Sequence, residues 1–533
     1  MNHPGRGLSP KSSRGLGVFL LLSAGLCGAL VMVVQVLGSR MIGPFFGVSL
    51  FVWTALIAVT LLSLAAGYAI GGRLADRRPS PDWLYGIIIA AGLMVALIPL
   101  AKLPVIGLTS ELGLRTGAFV AASLLFSPAL VLLGCVSPYV VRVAAADWQH
   151  LGRTVGLFYA VSTAGSFAGT AVSGFYIIAY VGVSKAFFLC GLLLCLLGVI
   201  YFAAFRARYL TILCLTPFLI LWTSESQRPS VLMADGTRAT LIDHVDSFYG
   251  NVKVVEYKGA AGQTREMMID GLIQGGIDPV DGKSIYEYAY LMEHLPLAAK
   301  PDIGRALFIG LGPGVVANAY QQRKIISDVV DIDPAVVAMA EKHFGFSPAR
   351  PVIVADGRTM LKSAPYSYDV IMMDVFNGDI TPGHLLSDEA IGQVRQRLSK
   401  DGVFAMNLIG SLASDSLMLP SVVRTLRQHF SEVVAFPLFD ATVPSGGSGN
   451  LVILARNGSL SAALELKQIP GVHRFANPGV HAALAQGRRM EANNAALVLT
   501  DDYNPLDVFD AELHESVRHT ILKTTPMEIL VHG

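Results

Sequence analysis

The sequence predicts a two-part protein, an N-terminal α-helical multi-pass membrane domain followed by a C-terminal α/β domain of Rossmann-like build. Three observations lead there. Only 15% of the 533 residues are charged and 53% are hydrophobic, against roughly a quarter charged in ordinary soluble chains. The charge is also divided: residues 1–223 hold 14 Lys/Arg and 4 Asp/Glu, a net of +10, whereas the remainder holds 26 and 35, a net of −9. Finally, the acidic half contains "ALFIGLGPGVVANAY" (306–320), an apolar strand running through glycines into a helix.

In the first half, long apolar runs occupy 15–38, 49–72, 83–101, 117–141, 155–181 and 184–205. Each is long enough to cross a hydrocarbon core of roughly 30 Å as a helix. A seventh run, Tyr209–Thr223, is short and contains Pro217, so the count is six or seven. The first run is too long for a cleaved signal peptide, and further spans follow it. Arg6, Lys11, Arg14, Arg73, Arg77, Arg78, Arg142, Arg153, Arg206 and Arg208 fall on one side, against Arg40, Lys102, Arg115 and Lys185 on the other. This bias places the amino terminus in the cytoplasm. Six spans return the chain to the cytoplasm; seven would put the acidic half outside. The stretch "GYAIGGRLADRR" (67–78), read as the connection between the second and third spans, resembles the loop signature of major facilitator transporters, of which six spans would make half. The same residues also read as a positive-inside loop with glycines for helix packing. No span shows an obvious mid-membrane acid or base, which transport sites usually need, so this half reads as an anchor or a small-molecule conduit. All five cysteines lie here, at spacings that suit neither a metal site nor a disulfide framework.

An acidic second half argues against nucleic acid, which needs a basic footprint. Its glycine turn, Gly310, Gly312 and Gly314, lets the backbone approach a ligand closely, and the helix that follows favours polar or negative groups at its N-terminus. The next apolar strand, in "VVDIDPAVV" (329–337), ends on Asp331, where this architecture places a ribose-binding acid. "VIVADGRTML" (352–361) ends a strand on Asp356-Gly357, and "YDVIMMDVFNGD" (368–379) ends another on Asp374. Any one such Asp reads first as a turn or helix-cap residue. Four strand ends in register instead deliver the glycines and three acids to one rim, where ligands of open α/β sheets sit. Val315 stands where a dinucleotide fingerprint wants glycine, so the turn looks more like the nucleoside site of S-adenosylmethionine-type enzymes.

At this point the sequence resembles a spermidine synthase, of the bacterial type fused to a membrane domain. Over about 240–510 its pieces occur in family order: "DSFYGNVKVVE" (246–256), "MIDGLIQGGIDP" (268–279), "YEYAYLMEHLPL" (286–297), the glycine turn, "VVDIDPAVV", "ADG", "MDVFNGDITPGHLL" (373–386) and "TDDYNPLD" (500–507). The resemblance implies a methyltransferase-type Rossmann fold preceded by a small β-rich piece that supplies part of the amine pocket. It implies Asp331 on the ribose hydroxyls, Asp356 and Gly357 on the adenine, and Pro382 in a gate-like loop. Gln274 and Tyr288 would line the aminopropyl and amine channel, and Asp374 would be the proton acceptor. Asp333 is expected to cap the helix after Asp331. Departures fall on the amine side. The family's acid in the glycine turn is replaced by Pro313, its Tyr-His-Glu run by Tyr288-Ala289-Tyr290, and a glutamine near the cofactor by Gly250. The acid three residues past the catalytic one aligns with Asn377, with Asp379 as a substitute.

The domain boundaries expected are a basic tail (1–14), the membrane domain (15–223), a linker with the β-rich piece (224–283) and the Rossmann-like catalytic domain (284–533). The function expected is a membrane-bound polyamine aminopropyltransferase, with decarboxylated S-adenosylmethionine as co-substrate, a putrescine-like amine as acceptor, and neither a metal nor a permanently bound cofactor. Its location would be the inner membrane, with the catalytic domain on the cytoplasmic side, where adenosyl compounds are made. A homo-oligomer through the catalytic domain is compatible with this reading. The alternatives are a methyltransferase using S-adenosylmethionine itself on a small amine, and a transporter-like protein with a nucleoside- or polyamine-sensing domain.

Overall fold

The structure is a computed structural model that describes residues 10–47, 50–144, 151–218, 228–376, 381–443, 447–506, 509, 516, 518, 520 and 523–532. The chain divides into two compact units, Met1–Arg228 with Val531–Gly533, and Pro229–Leu530.

The first unit is helical: α1 (Pro10–Phe46), α2 (Leu50–Arg77), α3 (Pro81–Thr109), α4 (Leu114–Ala144), α5 (Leu151–Val172) and α6 (Val183–Arg206). Among the described residues, six helices are long and apolar enough to cross a bilayer. The seventh run begins as a 3-10 helix, Tyr209–Leu215, and its end lies outside the described residues. Small residues let helices touch. A Cβ on Gly67 would run into the Val131 carbonyl of α4, and one on Gly165 into the Gly25 carbonyl of α1. Small residues at such positions let helix backbones approach closely.

Two expectations need correction here. Most of "GYAIGGRLADRR" is not a connection: α2 continues to Arg77, and Pro79 stops it by disfavouring helical geometry at Arg78. Its Gly67 and Gly71 pack on α4, at Val131–Gly134 and Cys135. Lys102 likewise lies inside α3, buried, rather than in a loop. A single lysine is a good helix former, and the apolar run beyond it carries the helix on to Thr109.

In the second unit, strands β1 (Ser230–Leu232), β2 (Arg238–Asp246), β3 (Asn251–Gly259), β4 (Gly262–Ile269) and β5 (Leu272–Ile277) form an antiparallel meander. β2 alternates buried and half-exposed positions, the pattern of a sheet with one covered face. Next come α7 (Glu287–Ala299), β6 (Arg305–Ile309), α8 (Val315–Gln322), β7 (Ile326–Asp331), α9 (Pro334–His343), β8 (Ile353–Val354), α10 (Gly357–Ser363) and β9 (Tyr368–Met373). The long β10 (Leu398–Ser411), β11 (Glu432–Pro437), β12 (Ser448–Arg456) and β13 (Arg488–Arg489) complete an eight-stranded sheet in the order β13-β11-β12-β10-β9-β6-β7-β8.

From β8 to β10 the sheet is parallel, and β12 turns antiparallel against β10. Both faces are covered, so the central strands are apolar runs rather than alternating ones. Ala306 and Phe308 of β6 pack into one core with Met372 and Val452, while Leu307 and Ile309 face a second core with Ile371 and Phe404. After β6 the chain moves outward through β7 and β8, then returns to build β9 on the other flank of β6. That reversal leaves a crevice at the carboxyl ends of β6 and β9, the usual place for a ligand in such sheets.

Candidate functional site

The turn after β6 is stitched to both neighbours. Gly310 N–H donates to the Val330 carbonyl (2.9 Å), and Asp374 N–H donates to the Ile309 carbonyl (2.9 Å). Gly310 has φ +90°, and a Cβ there would collide with the Asp374 carbonyl. Gly314, at φ +77°, enters α8 with its Cα against Phe346, where a Cβ would come within 2.6 Å of that ring. Both conditions favour glycine.

Asp331 ends β7 with one carboxylate oxygen on this turn and the other on the segment that follows. Oδ2 accepts from Leu311 N–H (2.9 Å) and Oδ1 from Asp333 N–H (2.8 Å). Burial pushes its pKa up to about 6, against the opposing pull of those two amides. Each oxygen keeps a second lone pair for a ligand hydroxyl. Asp333 is the N-cap of α9: it accepts from Ala335 N–H (2.9 Å) and from the Ser247 hydroxyl (2.6 Å), with Pro334 at the first helical position.

Strand β8 stops at Val354, two residues short of the expected end, because Asp356 is already the N-cap of α10. Its Oδ1 accepts from Thr359 N–H (3.0 Å) and its Oδ2 faces His384 Nε2 at 2.9 Å. Burial raises this carboxyl, but the His384 and Thr359 hydrogen bonds outweigh it and the net pKa lies below the usual value. Asp356 therefore fills both roles the sequence left open, helix cap and cleft residue.

Asp374 follows β9 directly and is not a helix cap. Burial pushes its pKa up to about 6, moderated by Asn407 Nδ2, which donates to Oδ1 at 3.0 Å. The Tyr288 hydroxyl donates to the Gln274 carbonyl (2.9 Å); burial and then the Asp374 charge hold its pKa well above the ordinary tyrosine value.

These residues surround a cleft of about 270 Å³ lined by Gln274, Gly310, Gly312, Asp331, Asp356, Gly357, Asp374 and Pro382, all expected from the sequence. Tyr249, Val375, Phe376, His384 and Leu385 line it too, and the sequence reading missed them. A smaller hollow of about 30 Å³ shares Gly310, Leu311 and Asp374 with the cleft and is bounded by Gly276, Tyr288, Met292, Phe308, Pro313 and Gly314. Gly314 and Tyr288 thus stand at this inner hollow rather than the larger cleft. Asn377 and Asp379 lie outside the described residues. An acid and an apolar wall beside one another suit a group that carries a proton to be removed and a carbon chain to be sheltered.

The positions where the chain departs from its resemblance are structurally committed. Pro313 is part of the inner wall. Tyr290 donates its hydroxyl hydrogen to the Ser284 carbonyl (2.7 Å) and accepts from His473 N–H (3.0 Å). A Cβ on Gly250 would lie 2.6 Å from Ile269 Cγ2 and 3.0 Å from Asp270 Oδ2, so this turn has no room for a glutamine.

Residues 286–460 match the spermine/spermidine synthase domain family. The polyamine aminopropyltransferase of Vibrio vulnificus is 32% identical over 250 residues, covering 43% of this chain and 77% of that protein. The polyamine aminopropyltransferase of Moorella thermoacetica is 28% identical, covering 49% of this chain and 92% of that one. The N-terminal histidine N-methyltransferase of Emericella nidulans is 28% identical over 265 residues, covering 44% of this chain and 46% of the fungal protein.

Proposed function

The chain belongs to the spermine/spermidine synthase family and is a transferase, and we propose that it moves an aminopropyl group from decarboxylated S-adenosylmethionine to putrescine or a related amine. The observation that supports the reading is the shared rim of one cleft: Asp331, Asp356, Gly357 and a half-buried carboxylate, Asp374, with its pKa pushed up to about 6. The adenosine would lie along Gly310–Gly312 with its ribose hydroxyls on Asp331. The amine nitrogen attacks the methylene carbon beside the sulfonium, the carbon–sulfur bond breaks with its electron pair left on sulfur, and the ammonium proton passes to Asp374. A primary amine of pKa about 10.4 is almost wholly protonated at neutral pH, and reversing that costs roughly 4–5 kcal/mol. A positioned carboxylate that takes the proton lowers the barrier, typically by about 10²–10⁴-fold in rate.

A second reading, methyl transfer from S-adenosylmethionine to a small amine, is favoured by one observation. Pro313 stands in the inner wall where an acid would hold the amino group of a decarboxylated donor. The full-length chain in detergent, supplied separately with each donor and with putrescine, distinguishes them by product mass. Aminopropylated product with the decarboxylated donor alone supports the first reading; methylated product with S-adenosylmethionine supports the second; no product from either removes both.

We further propose that the six apolar helices anchor the enzyme in the membrane, with the catalytic unit in the cytoplasm. A single cysteine at Ser459 in a Cys-free background should resist an impermeant thiol reagent on intact cells and react after lysis. Labelling before lysis would place the domain outside.

A further inference from the structure

We infer that Asn407 is the positioning residue of the proton acceptor, the amide that holds the Asp374 carboxylate in place in both of its protonation states. The inference rests on the reading of Asp374 as that acceptor.

Asn407 is an anomaly of its strand. Met406 and Leu408 on either side are fully buried, and Asn407 itself is 2% exposed. The register of β10 on β9 pairs Met406 with Met373, which sets Asn407 beside Asp374, one step further along. There its Nδ2 donates to Asp374 Oδ1 at 3.0 Å, while its own Oδ1 has no hydrogen-bond partner among the described residues. A buried carbonyl oxygen without a donor is unfavourable, and a leucine of similar volume would avoid the penalty. The amide does what leucine cannot. It donates N–H to the carboxylate before reaction. Once the proton has arrived, a half-turn about its last torsion presents Oδ1 to accept the O–H of the acid. The two ends of an amide have the same shape, so this turn needs no repacking.

The surroundings leave few other groups to hold Asp374. From β10 it meets Asn407, from α7 Tyr288, whose hydroxyl is engaged by the Gln274 carbonyl, and from β6 the uncharged Ile309–Gly310 turn. Asp331 shares the cleft from β7.

The test uses full-length protein in detergent with decarboxylated S-adenosylmethionine and putrescine, measuring kcat/KM for the amine from pH 5 to 9. Asn407→Leu should move the acid limb upward by about one pH unit, the difference between a hydrogen bond to the carboxylate and the weaker one to the neutral acid. At pH 6 that means about a fivefold loss, approaching tenfold at pH 5, with activity within threefold of wild type at pH 9. Methylthioadenosine affinity should change less than threefold, and Asn407→Gln should recover part of the shift. If Asn407→Leu does not fold, Asn407→Ser removes the same bond with less disturbance and should show the same limb. A folded variant whose limb stays at the wild-type pH while Asp374→Asn is inactive overturns the role of Asn407 alone. An active Asp374→Asn overturns the acceptor reading itself, and this inference with it.

Discussion

At the Asp331–Asp356 end of the cleft, the proposed nucleoside end, the acids are held mainly by main chain. Asp331 grips the amides of Leu311 and Asp333, and Asp356 the amide of Thr359 together with His384. At the acceptor end Asp374 has a side-chain partner, Asn407, and the wall around it includes Pro313, Gly276 and Tyr288. Backbone amides are fixed by the sheet and the helix starts, so the nucleoside end is rigid by construction. The acceptor end depends more on side chains, Asn407 and Tyr288 among them. On the function proposed above, the difference teaches that nucleoside recognition and acceptor choice would be separable: the first would rest mainly on main chain, the second on a few side chains.

The largest effect expected from breaking this arrangement is at Asp374. Asp374→Asn is nearly isosteric and should keep nucleoside affinity, while turnover at neutral pH falls by about 10²–10⁴-fold. The pH profiles should differ in shape. In the wild type the base must be ionised, so kcat/KM rises about tenfold per pH unit until the carboxyl has lost its proton near pH 6, then levels. In the variant only free amine reacts, so the rate should climb through neutrality toward the amine pKa of about 10.4, and the deficit should shrink. Parallel profiles in the two proteins would remove the proton-acceptor role.

Next in size is the ribose clamp. Asp331→Ala removes two ligand hydrogen bonds to a charged group and also leaves the amides of Leu311 and Asp333 without their acceptor. Methylthioadenosine affinity by calorimetry should fall by about 10–100-fold, taking about 1.5–3 kcal/mol per charged hydrogen bond and allowing for replacement by water. Equal affinity in both proteins would move the clamp elsewhere.

A smaller effect is expected from His384→Ala. His384 braces one oxygen of Asp356 from the half-exposed side of the cleft, while the Thr359 amide on the other oxygen remains. Nucleoside affinity should fall by only about twofold to fivefold, as for the loss of one partly solvated contact. A loss as large as that of Asp331→Ala would mean His384 touches the ligand directly.

Much of the cleft rim was legible in the sequence because it follows from strand ends. Gly310, Gly312, Asp331, Asp356 and Asp374 each sit where an apolar run stops, and a parallel sheet gathers such positions on one edge. What was not legible depended on pairing between distant strands. Asn407 matters because β10 lies next to β9, and His384 because the Pro382–Leu385 segment folds back over α10. A lone polar residue inside the apolar run "VFAMNLIG" was the available signal for Asn407. In the helical unit, hydropathy located six helices but misjudged their ends. Lys102 and the glycines at 67 and 71 read as loop by charge and composition, whereas helix propensity and packing keep them helical.

The smallest effect expected is at Asp333, and it sharpens the comparison most, because Asp331 and Asp333 are two residues apart and line the same cleft. If Asp333 is a cap and Asp331 the ligand group, exchanging carboxylate for amide should matter at one and hardly at the other. Asn caps a helix about as well as Asp, so Asp333→Asn keeps the bond from the Ala335 amide. The Ser247 hydroxyl, which now donates to Oδ2 at 2.6 Å, would keep the Gly250 carbonyl at 3.0 Å as its acceptor. Stability should change by less than about 1 kcal/mol, the low end of cap substitutions, and methylthioadenosine affinity by less than about threefold. Asp333→Ala, by contrast, removes the cap and the bond from Ser247, lowering stability by about 1–2 kcal/mol with affinity still within tenfold of wild type. Should Asp333→Asn weaken the nucleoside as much as Asp331→Ala does, the two acids would have to exchange roles, and Asp331 would become the residue that merely pins the glycine turn.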